Sequence, residues 1–74
     1  MRFDYSRLKG RIKMVFDTQE RFATAMGISA RTVSLKLNNA VDWTQREIIL
    51  ACELLKIPYR AIPDYFFTIF AKFN

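Results

Sequence analysis

QERFATAMGISARTVSLKLN, residues 19–38, has the order of residue types that two short helices joined by a tight turn require. Phe22, Ala23 and Met26 supply the apolar side of one helix, and Ile28, Ala30, Val33 and Leu37 that of the next. Gly27 stands where the earlier helix must stop, and glycine takes the left-handed conformation there without a Cβ clash. Ser29, two residues on, is a preferred N-cap whose hydroxyl accepts from an exposed backbone N–H. Ala23 is small where two helices must approach closely, and Val33 closes the space from the second helix. The stretch reads as a helix-turn-helix.

Advancing 100° per residue along Ser29 to Leu37 separates that second helix into two faces. Ala30, Val33 and Leu37 fall on one side. Arg31, Ser34, Leu35 and Asn38 fall on the other, with Thr32 at the edge. An outward leucine is out of place on an amphipathic helix packed on a core, so Leu35 either marks a contact made by that face or is one of the scattered exposed apolar residues that proteins tolerate.

On the N-terminal side, Leu8, Ile12, Val15 and Phe16 fall at helical spacing between Asp4, a candidate N-cap, and Phe16. Arg7, Lys9, Arg11 and Lys13 occupy the remaining arc, either as a solvated face or as phosphate contacts. Arg7 and Arg11, one turn apart, are the pair best able to act together. Gly10 weakens this helix by about 1 kcal/mol relative to alanine and suggests a close approach of another backbone. Thr18 caps the following helix, and Gln19 adds a side-chain donor at a helix start that suits a phosphate oxygen.

On the C-terminal side, the polar break at residues 38–42 is followed by the clearest helix start in the chain. Thr44 and Glu47 form a capping box, and Trp43 with Ile48 matches a hydrophobic staple. The helix is expected to run to about Lys56 with Ile48, Ala51, Cys52 and Leu55 inward, Cys52 acting as a small buried hydrophobe. Pro58 and Pro63 bracket one short helical turn. DYFFTIFAKFN, residues 64–74, then has high β propensity and two largely apolar strand faces, with a helix the other conformation open to so short a run. A lone strand has no partner in a helical chain, so two copies pairing antiparallel would satisfy it and bury its phenylalanines; the alternative is that the tail folds back to complete a small core.

Bulk properties narrow the function classes. A chain of 74 residues is one domain, too short for a sizeable internal cavity. The single cysteine excludes an intrachain disulfide, and with no histidine there is no thiol and imidazole zinc site and no ready acid/base at neutral pH. The seven carboxylates are scattered and neither glycine lies in a phosphate-cradling motif, so no catalytic residue, metal or cofactor is assigned and the chain is expected not to be an enzyme. The start of the chain has no secretory h-region and no long apolar span follows, which leads to the expectation of a cytoplasmic protein without membrane attachment or small-molecule ligand. Residues 1–40 carry eight Lys/Arg against three Asp/Glu, so the whole excess of +5 lies with the helix-turn-helix half, a modest pointer to nucleic acid.

Over roughly residues 4–57 the chain resembles the small Cro and repressor proteins of phages, of the XRE type. TQERFATAMGIS and RTVSLKLNN carry the resemblance most clearly, and FDYSRLKGRI, WTQREIILACELLKIP and IPDYFF are similar to a Cro-like subgroup from prophages of Gram-positive bacteria. The resemblance implies an all-α, four- to five-helix, lambda-repressor-like DNA-binding domain over residues 1–64. Beyond it, the residue types themselves make 65–74 an aromatic tail and a candidate dimerisation strand. The resemblance also implies a phosphate contact by Gln19, base reading by Ala30, Arg31 and Leu35, and backbone contacts by Asn38 and Asn39. One departure is that Lys36, followed by Leu37, stands where many members carry a large apolar residue, which implies a slightly rotated recognition helix.

The expected function is therefore operator recognition by a Cro-like repressor in a bacterial host cell, a homodimer on an approximate palindrome of double-stranded DNA. Arg31 would pair with guanine, Leu35 would pack on a thymine methyl, and Ser34 would add a base contact. Thr18, Gln19, Thr32, Lys36, Asn38, Asn39, Arg7 and Arg11 would hold phosphates. Phe66, Phe67, Ile69, Phe70 and Phe73 would bury between subunits. The alternative is a protein-interaction module, antirepressor or antitoxin-like, on the same scaffold.

Overall fold

The computed structural model describes residues 2–70. Five α-helices follow one another: α1 (Ser6–Phe16), α2 (Gln19–Met26), α3 (Ala30–Leu37), α4 (Gln45–Leu55) and α5 (Ile62–Phe66), with one 3₁₀ turn at Tyr59–Ala61 before α5. The fold is mainly helical, as the sequence pattern predicts, and among the described residues the only β pairing is a single bridge.

The local signals act where expected. Thr18 Oγ1 accepts from Arg21 N, Ser29 Oγ accepts from Thr32 N, and Gly27 closes α2 in the left-handed region at φ 77°. Thr44 and Glu47 form a complete capping box on α4. Leu8 and Ile12 of α1, Phe22, Ala23 and Met26 of α2, Val33 and Leu37 of α3, and Ile48, Ala51, Cys52 and Leu55 of α4 meet in one core. Cys52 is buried as expected, and burial first, then the Glu53 charge, pushes its thiol pKa up.

Several details differ from the sequence reading. α1 begins at Ser6, and Asp4 sits one residue further out than a cap, its Oδ1 accepting from Ser6 N and Ser6 Oγ. Val15 is exposed, because a stripe built on Leu8 and Ile12 continues to Phe16. Gly10 meets no neighbouring backbone.

The tail is the main correction. Pro63 opens a short helix instead of preceding a strand, and Tyr65 and Phe66 end it inside the core, so no boundary falls at residue 65. Phe66 lies edge-on to Trp43 with ring centroids 5.7 Å apart. Residues 68–70 then run antiparallel to residues 2–4 of the same chain. Asp4 N donates to Thr68 O at 2.7 Å and Phe70 N to Arg2 O at 2.8 Å, on either side of the Phe3–Ile69 bridge. The pairing that a second copy was expected to supply is made within the chain, and it fixes both ends of the domain beside the C-terminus of α3.

Candidate recognition face

α3 is held inward by three residues at i, i+3 and i+4: Val33, Lys36 and Leu37 are all buried. Lys36 is 4% exposed. Its four-carbon stem takes the apolar slot, and its ammonium leaves that slot for polar partners at the seam with α4. Nζ lies 2.9 Å from Glu47 Oε1, donates to Asp42 O at 2.8 Å, and sits 5.8 Å from the centre of the Trp43 ring. Glu47 accepts from Thr44 N with the same oxygen. Burial raises the Glu47 pKa, but the Thr44 N–H and the Lys36 charge outweigh it, and its carboxyl ends below the ordinary range. Lysine thus occupies an inward position of α3 between Val33 and Leu37, which are inward as the angular sorting predicts.

The same geometry removes Lys36 from the phosphate contacts, and two further residues go with it. Arg11 turns inward from α1, Nε donating to Leu55 O at 2.8 Å and Nη2 to Lys56 O at 2.7 Å. These carbonyls end α4, where the helix dipole favours a cation, and Lys56 follows in the left-handed region at φ 58°. Asn39, also left-handed at φ 65°, clamps the peptide groups of Phe3: Phe3 N donates to Oδ1 at 2.7 Å and Nδ2 donates to Phe3 O at 2.9 Å. The residue-3 backbone thus has the tail on one side and a side-chain amide on the other.

What remains on the outside of α3 is a coherent surface. Arg31 and Asn38 are exposed, and Ser34, Leu35 and Thr32 are half-buried. Ala30, assigned to base reading, packs partly against the core. The Thr32 and Ser29 hydroxyls are 2.8 Å apart, so Thr32 belongs to the capping arrangement of its own helix. Gln19 is exposed at the start of α2, and the Thr18 hydroxyl beside it is engaged as the cap. Arg7 stays exposed, its guanidinium 5.1 Å from the centre of the Tyr65 ring. Of the assigned dimer contacts, Phe66 is buried in its own core, which corrects that assignment. Phe67, Ile69 and Phe70 remain half-exposed, and Phe73 lies outside the described residues.

A polar groove that the sequence reading missed adjoins the end of α3. Arg2, Ser6 and Lys9 line it opposite Asn38 and Asn39, with Phe70 at its edge and the Arg2 guanidinium 5.8 Å from that ring. Its two walls are about thirty residues apart in the chain, and no local pattern announces that they meet. Among the described residues no cluster of His, Cys, Asp or Glu could hold a metal ion, and no helix is long and apolar enough to cross a membrane.

The fold and face define a small, mainly helical domain in which α2, a tight turn and α3 follow one another, α3 carrying exposed Arg31 and Asn38 and half-buried Ser34 and Leu35 away from the core. The sequence pattern of the family described as "Protein of unknown function (DUF739)" matches residues 1–69, and the chain belongs to that family. Among solved structures it is similar to the modulator of repression (MOR) of the temperate bacteriophage TP901-1 from Lactococcus lactis. The two share 51% sequence identity over 90% of each chain, with a TM-score of 0.80. No curated protein matches the chain significantly.

Proposed function

We propose that this chain regulates a phage-type repression switch, that its working surface is the outward face of α3, and that this face docks on a repressor protein. One observation carries the reading. Lys36 is buried and Arg11 and Asn39, two more of the side chains expected to anchor DNA phosphates, are hydrogen-bonded to backbone groups of the chain, whereas on the outward face of α3 Arg31 and Asn38 are exposed and Ser34 and Leu35 half-buried. Phosphate contacts supply most of the affinity of a small DNA reader, so their diversion weakens DNA binding more than it weakens contact with a protein. Leu35 on that face suits an apolar partner, with Arg31 one turn away for a carboxylate. Similarity to a protein described as a modulator of repression is in keeping with action on a repressor.

A second reading, sequence-specific operator binding as a homodimer with α3 in the major groove, is favoured by the free Arg31 and Gln19 and by Arg2 and Lys9 beside Asn38. A gel shift separates the two readings. With the cognate repressor already on operator fragments, the chain at stoichiometric amounts should alter the repressor–operator complex, and Leu35→Ala and Arg31→Glu should lose that effect. Alone, the chain should bind the fragments no more tightly than about 1 µM, the nonspecific range at physiological salt. Tight binding by the chain alone, with base preference lost in Arg31→Ala and kept in Gln19→Ala, would overturn the protein-docking reading in favour of operator binding.

A further inference from the structure

α4 turns Ile48, Ala51, Cys52 and Leu55 into the core, and its opposite face is exposed among the described residues. That face carries Arg46, Ile49, Leu50 and Glu53, with Ile49 41% and Leu50 36% exposed. Two shallow grooves meet along it, sharing Gln45 and Ile49. One is bordered by Arg46, Leu50 and Glu53, the other by Ile62 and Phe67. The spacing 46, 49/50, 53 is the seam of a helix that packs lengthwise against another helix.

The charges on this seam determine what fits it. Arg46 and Glu53 are seven residues apart, about 10 Å along the helix at 1.5 Å per residue, and are too distant to pair with each other. Both ion pairs among the described residues lie elsewhere, at Lys13–Asp17 and Lys36–Glu47. The Tyr59 hydroxyl donates to Glu53 Oε2 at 3.2 Å, which steadies the carboxylate while leaving its other oxygen open.

We propose that this face is a homodimer interface in which α4 packs antiparallel against α4 of a second copy. The two-fold axis passes between Ile49 and Leu50. Each charge then stands about 5 Å from the axis along the helix, so Arg46 of one copy faces Glu53 of the other, twice, and Ile49 faces Leu50. The surface is complementary to itself in this direction only. A parallel copy would set Arg46 on Arg46 and Glu53 on Glu53. The half-exposed Phe67 and Ile62 border the groove beside Ile49, where the partner's Leu50 arrives. The proposal does not depend on the functional reading, because dimerisation is measured without repressor or DNA.

An interface one helix wide lies at the small end of the range for specific contacts, so the dimer is weak. Sedimentation of the full chain at roughly 10 µM to 1 mM, which covers dissociation constants from micromolar to millimolar, tests it. Arg46→Glu and Glu53→Arg, each alone, set like charges together on both sides of the axis and should weaken dimerisation roughly tenfold or more. An equimolar mixture of the two variants restores both pairs in a heterodimer and should recover the wild-type constant. Monomer at every concentration, single variants that dimerise like wild type, or a mixture that fails to recover would each overturn the proposal. So would loss of dimerisation in Phe70→Ala with Arg46→Glu unaffected, which would place the contact on the tail.

Discussion

Lys36→Ala is the perturbation that best separates a structural lysine from a DNA-contacting one. In the fold it removes an ammonium 2.9 Å from Glu47 and 2.8 Å from Asp42 O, together with the stem that fills the space below Trp43. Removing one partner of a buried pair costs about 3–5 kcal/mol. Glu47 is not left bare, because its carboxylate still accepts from Thr44 N and its side chain is 20% exposed, so the low end applies. At roughly 4–8 °C per kcal/mol for a domain of this size, a loss of about 3 kcal/mol lowers Tm by about 12–24 °C. Lys36→Met keeps the stem and also escapes the cost of burying a charge. Combined with Glu47→Gln it should stay within about 1 kcal/mol of the parent.

Thermal melts followed by circular dichroism at neutral pH read these differences directly. Repeating them at about 0.05 and 0.5 M salt adds a control, since a buried pair is screened little and the alanine deficit should persist. A phosphate-contacting lysine behaves otherwise: its loss leaves Tm in place and lowers the salt slope of DNA binding by about one. An alanine variant melting within about 2 °C of wild type would refute the assignment of Lys36 to the core, as would a deficit that disappears in high salt.

Two other sites make comparable predictions. Asn39→Ala loses both hydrogen bonds to the Phe3 peptide and places alanine at φ 65°, which should cost about 2–3 kcal/mol in urea titration, whereas Lys56→Gly relieves φ 58° and should gain about 0.5–1 kcal/mol. The depressed Glu47 carboxyl stabilises the fold at pH values above its unfolded range, and that contribution is lost as pH falls through the folded value; acid melts should show wild type losing this increment and Glu47→Gln lacking it.

The parts legible in the sequence are those governed by neighbours three or four residues away. Thr18, Ser29 and Thr44 act as caps because a cap needs only its own helix's first turn, and Gly27 ends α2 because only the local backbone sets its φ. Sorting α3 by angle placed Arg31, Ser34 and Asn38 outward and Val33 inward for the same reason. Lys36 could not be placed that way. Its type belongs on a surface, and the acceptors that make burial tolerable come from the loop and from the first turn of α4. Arg11 and Asn39 were illegible more severely, since their partners lie 44 and 36 residues away. For the tail the sequence leaves open pairing with a second copy and folding back, and the chain takes the second; Pro63, whose fixed φ opens α5, and a partner for residues 68–70 at the opposite end of the chain decide it, and aromatic β propensity reveals neither.

These long-range contacts share one consequence for the recognition face. Lys36 ties α3 to the start of α4, Asn39 ties its C-terminal end to residue 3, and the Gly27 turn ties its start to α2. A helix fixed at both ends and along its inner side presents Arg31, Ser34, Leu35 and Asn38 in one orientation before any partner arrives. If this face docks as proposed, little backbone order remains to be imposed on binding. The same fixation keeps Lys36 and Asn39 from adapting to a phosphate backbone, since each would have to abandon partners within the chain to do so. Under the proposed docking on a repressor, among the described residues the outward face of α3 offers Arg31 as its exposed cation, so shape would weigh more than charge in the choice of partner.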